Sequence, residues 1–132
     1  MAISTATELR VFGKLPVIAQ LPDATITPHL ASAGRELACW IGDYSAAAGD
    51  KLESCKEAEQ CIAMAYLVPV LNTLYTEGTT TLQSELGGMN VRFHDQNDQK
   101  MLAEMWMDRA RSRVAQYIAA FKNKRAIGWY AV

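Results

Sequence analysis

The residues able to carry chemistry in this chain are two histidines, three cysteines and a set of scattered carboxylates. A zinc site needs closely spaced Cys or His pairs, and a nucleophilic site needs a base and an orienting acid beside its Ser or Cys. His29 has no such neighbour, and His94 has only Asp95 and Asp98 beside it. Both histidines stand at expected helix starts and read as cap-region residues. Cys39, Cys55 and Cys61 form no paired motif, and the six-residue step from Cys55 to Cys61 puts them on different helix faces. They read as small buried hydrophobes of a reducing compartment. Gly87-Gly88 lacks the lysine and the strand–turn–helix setting of a phosphate loop. Glu53 and Glu57 have the spacing of a solvated helix face. Met101, Met105 and Trp106 read as a core stripe rather than a cofactor box, with Met107 falling off it and facing outward. The expectation is no catalytic residue, no metal and no cofactor.

These residues must be positioned mainly by helices. Ser4 or Thr5 caps a short first helix, Thr5 and Glu8 have capping-box spacing, and Gly13 followed by Pro16 ends it. Residues 14–24, with Pro16 and Pro22, read as an extended connector. A second helix is expected with Thr27 as N-cap and Pro28 at its first position, closing at Gly42. A polar loop leads to a long helix capped by Asp50, with an apolar stripe of Leu52, Cys55, Ala58, Ile62, Ala65, Leu71 and Leu74, ending at Gly78. Pro69 within it predicts a kink or break near residues 66–68. The final helix starts at Asp95 and runs to about Phe121, with Met101, Leu102, Met105, Trp106, Ala110, Val114, Tyr117, Ile118 and Phe121 on one face.

Between the last two long helices the period changes. Leu86, Met89, Val91 and Phe93 surround or follow Gly87-Gly88 and alternate with Asn90 and Arg92, predicting a small β hairpin or an extended arm. Two strands alone are marginal in water, so this arm has to pack on helices or on a neighbouring chain. The expected fold is therefore mainly α: a bundle of three main helices plus a short N-terminal helix, with that arm between the second and last. One domain is expected over residues 1–121, followed by a C-terminal tail over 122–132.

Composition narrows the partners. Half of the 132 residues are apolar, enough for a real core, and a formal net charge of −1 gives no global pull toward nucleic acid or membrane. No apolar run approaches the ~18 residues of a membrane span. Residues 1–12 include Glu8 and lack a basic-then-apolar leader layout, so a cytosolic setting is expected. Local charge is uneven. Residues 36–59 hold six acids against two lysines, whereas Arg109, Arg111, Arg113, Lys122, Lys124 and Arg125 form a basic flank without an acid among them. Unlike flanks suit head-to-tail contacts between copies, or are ordinary solvated faces. The basic flank also allows an alternative function, a small helical nucleic-acid-binding or regulatory module, although the pI of 6.1 lies well below that of a dedicated binder. In the tail, Ile127, Trp129, Tyr130 and Val132 either fold back onto the core or anchor in a partner's groove.

The order of these elements resembles the head–tail connector, or adaptor, proteins of tailed bacteriophages. The resemblance spans about residues 5–121. It rests on the short first helix, the proline-bearing connector, the Cys39–Gly42 helix ending, the second long helix, the stretch Ser84-Glu-Leu-Gly-Gly-Met-Asn-Val-Arg-Phe93 and the closing amphipathic helix. Pro69 and the aromatic ending depart from the family pattern. The resemblance implies a structural virion protein at the neck, assembled in the host cytoplasm as a twelvefold homo-oligomeric ring. That ring would join the portal protein to a tail-side completion or stopper protein and let DNA pass its lumen without specific binding. It also implies an inter-subunit role for the arm and a portal-docking role for the tail.

Overall fold

A computed structural model of the chain describes residues 2–15, 21–77 and 96–130, with side chains for 2–15, 21–73 and 98–123. The described part is mainly helical, as the periodicity predicts. Five helices follow in order: α1 (Ala6–Gly13), α2 (Asp23–Ile41), α3 (Gly49–Glu77), α4 (Gln96–Arg113) and α5 (Ala115–Tyr130). The predicted arm around Gly87-Gly88 lies outside the described residues.

Helix α1 forms where local chemistry requires it. The Thr5 side chain accepts from the Glu8 amide at 3.2 Å, and the Glu8 carboxylate accepts from the Thr5 amide at 3.1 Å. This reciprocal pair satisfies two amide donors that a helix start leaves open. Lys14 then takes a left-handed conformation, φ 54°, and closes the helix through its own amide.

The start of α2 differs from expectation. It begins at Asp23 with Pro22 in the N-cap position, so Thr27 and Pro28 lie inside the helix. Pro22 fixes an extended φ of −73°, and Asp23 places a carboxylate at the positive end of the helix. Pro28 still falls early enough to remove only one internal hydrogen bond. Gly42 closes α2 at φ 81°, where a side chain is disfavoured.

Helix α3 is the centre of the molecule. Residues 58–65 are all buried, a girdle wider than the single predicted stripe. It packs against α2 on one side and α4 on another, while α1 touches both α2 and α3. Pro69 does not break it: the helix runs through to Glu77, with Pro69 itself exposed on its surface.

The predicted last helix is two helices. The chain leaves α4 at Val114, whose carbonyl receives the amides of Tyr117 and Ile118 at 2.9 Å and so opens α5. Val114 is fully buried, and the turn there moves the chain from α3, along which α4 lies, to α2, against which α5 packs. No glycine or proline marks this break. α5 then continues past Phe121 to Tyr130.

The buried face of α4 is also shifted. Ala110 is fully buried and Trp106 and Met107 pack partly against the core, whereas Met101 and Met105 are 68% and 55% exposed. Met107, expected to face outward, is therefore inward, and the two methionines expected in the core are on the surface. Of the cysteines, Cys55 and Cys61 are buried as expected, but Cys39 is exposed.

Candidate functional site

The two charged flanks meet inside one chain. Glu57 of α3 receives Arg113 at 2.7 Å and Arg109 at 3.8 Å, both from α4. Arg109 also lies over the rings of Phe12 and Trp106, which themselves pair at 5.9 Å between centroids. This places one guanidinium across the seam between α1, α3 and α4. Arg111 pairs with Asp108 at 3.1 Å and stacks on Trp40 of α2, whose indole donates to Glu36 at 3.0 Å. Three of the six basic-flank residues thus have acidic partners in the same chain. Lys122 is exposed, and the side chains of Lys124 and Arg125 lie outside the described residues.

The arm residues Leu86, Gly87, Gly88, Met89, Val91 and Phe93 lie outside the described residues, as does Val132. Ile127, Trp129 and Tyr130 are placed only by backbone, on the last turns of α5. The end of α5 that precedes them is anchored. The Phe121 ring comes within 2.9 Å of where a Cβ on Gly42 would stand, so this glycine serves both its own φ and the seating of α5.

The described surface offers one apolar exposure beyond expectation. Val11 on α1 is 77% exposed, and Met101 and Met105 lie one turn apart on the wet side of α4. Such residues are ordinary singly and informative only when they adjoin. A shallow groove of about 580 Å³ runs between α2, α3 and α4, with His29, Tyr66, Pro69, Lys100 and Ala103 in its walls.

A feature the sequence did not reveal lies beneath α1. Glu59 has no exposed surface. Its carboxylate accepts the Ser4 amide at 2.7 Å and the Ile3 amide at 3.1 Å to each oxygen, and it also accepts the Tyr44 hydroxyl. Tyr44 is buried too, and its hydroxyl lies 3.4 Å from the Gly34 carbonyl of α2. Burial and the adjacent carboxylate push the Tyr44 phenol far above its ordinary range, so it stays a neutral donor. Ser4 is held again by Gln60, which donates to its hydroxyl at 3.2 Å. A carboxylate removed from water is costly unless its lone pairs are filled, and these donors fill them.

Among the described residues no group of three His, Cys, Asp or Glu side chains could hold a metal ion, and no helix is long and apolar enough to cross a membrane. Burial pushes the Cys61 thiol up to about 11 and raises that of Cys55 as well, so both are protonated at neutral pH. No known family, curated protein or solved structure matches this chain.

Proposed function

We propose that this chain is a structural subunit of the head–tail junction of a tailed bacteriophage, an adaptor that assembles as a ring between portal and tail. The observation that carries the reading is the order of elements. A short capped helix, a proline-bearing connector, a helix closing on Cys39–Gly42 and a long central helix lead into the segment Ser84–Phe93 and then the final amphipathic helices. By resemblance the ring is twelvefold, contacts the portal on one side and a stopper protein on the other, and passes DNA through its lumen.

Two surface features favour contact with protein over contact with nucleic acid. Met101 and Met105 expose adaptable apolar side chains on α4, of the kind used at protein interfaces. Arg109 and Arg113 meet Glu57, and Arg111 meets Asp108, so the basic flank is partly neutralised within the chain.

The test is co-purification of the chain with the portal protein of the same phage, using the full chain and a variant lacking residues 127–132. The full chain is expected to bind and the shortened one to stay folded and fail to bind. A full chain that ignores the portal, yet binds DNA with an affinity falling steeply with salt, would establish the nucleic-acid alternative instead.

A further inference from the structure

We propose that Glu59 is an acid-sensitive latch that holds residues 2–5, and through them α1, against α3, and loosens that segment selectively when it is protonated. The inference is independent of the phage reading.

The geometry is asymmetric about the carboxylate. On one side stand the backbone amides of Ile3 and Ser4, which can only donate. On the other stands the Tyr44 hydroxyl, which can donate or accept. With Glu59 ionised, every contact is a charge-assisted bond to an acceptor, the stronger kind. With Glu59 protonated, the new O–H can point at the Tyr44 oxygen, and the Tyr44 proton can turn to the Gly34 carbonyl at 3.4 Å. The Tyr44 side therefore has a second satisfied arrangement. The amide side has none better than two neutral bonds to one remaining carbonyl oxygen.

The surroundings concentrate the effect on the segment before α1. Facing Glu59 are Tyr44 from the loop after α2, the thiol of Cys55 one turn earlier on α3, and the backbone of residues 3 and 4. The neighbouring cation on α3, Lys56, is turned to Glu8 at 3.2 Å, and Arg109 and Arg113 are turned to Glu57. Among the described residues, then, no lysine or arginine pairs with the Glu59 carboxylate, which is held by the Ile3 and Ser4 amides and the Tyr44 hydroxyl. The helix itself is short, eight residues; its polar ties include Glu8 with Lys56 and Arg10 with Asp23 and the Leu21 carbonyl, and Ser4 is held further by Gln60 and the Lys56 carbonyl.

The test is amide hydrogen exchange by NMR on the full chain, compared between about pH 7 and about pH 3. In the wild type, the protection factors of Ile3 and Ser4 are expected to fall by about tenfold on acidification, the difference between charge-assisted and neutral bonds. The α2 and α3 amides should keep theirs over that step. Glu59→Gln should show the reduced protection already at neutral pH and no further pH dependence at these two amides. Glu8→Gln should retain that dependence. Protection at Ile3 and Ser4 unchanged by acid or by Glu59→Gln would overturn the latch. If Glu59→Gln does not fold, the wild-type titration decides: loss at Ile3 and Ser4 ahead of α2 and α3 supports the latch, and simultaneous loss overturns it.

Discussion

The segment around α1 and the stack of α2, α3 and α4 are joined to the same central helix by different physics. Around α1 the buried Leu9 is joined by ties that are directional and charged: Glu59 with two amides, Lys56 with Glu8, Arg10 with Asp23 and with the Leu21 carbonyl. Within the stack the contact is largely apolar, through buried residues such as Ala33, Leu37, Ile62, Leu67 and Ala110, none of which has a polar side-chain atom to satisfy. Apolar burial is non-directional and indifferent to pH, whereas carboxylate bonds require one geometry and one protonation state. The stack therefore supplies stability, and the polar end supplies a position that conditions can change.

Substitutions can break this contrast or sharpen it. Ile62→Ala, at a fully buried position in the girdle of α3, is expected to cost about 2–5 kcal/mol in urea unfolding, with little dependence on salt. Gly42→Ala forces a Cβ into a φ of 81° and against the Phe121 ring, and a loss of about 1–3 kcal/mol is expected in the same measurement. Glu57→Ala removes the partner of two half-exposed arginines, so about 1 kcal/mol or less is expected, diminishing as salt is added. A loss from Glu57→Ala as large as that from Ile62→Ala would mean that the ion pairs between α3 and α4 hold the stack as strongly as its apolar burial does.

The smallest expected effect is in the acid slope of stability. Desolvation tends to raise the Glu8 carboxyl, but the hydrogen bonds from Lys56 and Thr5 outweigh it and hold it below the ordinary value. A carboxylate depressed in the folded state contributes stability above its unfolded pKa and loses it as pH falls through the folded one. Glu8→Gln should therefore lower stability slightly at neutral pH, leave it unchanged in acid and so flatten the acid limb of a stability–pH profile.

What the sequence disclosed was local. The capping box of Thr5 and Glu8 was legible because both partners lie within one turn, and Gly42 because a helix end needs such a residue. The start of α2 was misread because Pro28 is as good a starting signal as Pro22, and only the packed helix decides between them. The face of α4 was misread for a related reason. Ala110 and Val114 are buried as the stripe predicts, but upstream of them Met107 turns inward and Met101 and Met105 outward, and helical spacing alone allows either. The break at Val114 carries no breaker residue. Glu59 was hidden most completely: its spacing is that of a wet helix face, and its partners lie 55 and 56 residues away. A carboxylate's burial is settled by tertiary contact, which no short window contains. The partner-facing expectations for the arm, the tail and the charged flanks come from residue pattern and resemblance, and at Glu57 the two flanks pair with each other inside one chain.

The proposed ring assembly is tested most directly by native mass spectrometry of the full chain mixed with a tailed-phage portal protein. A ring adaptor is expected to give a discrete complex containing a closed ring of this chain, twelve copies by resemblance. A chain that remains monomeric at every ratio, with no portal-bound species, would contradict it.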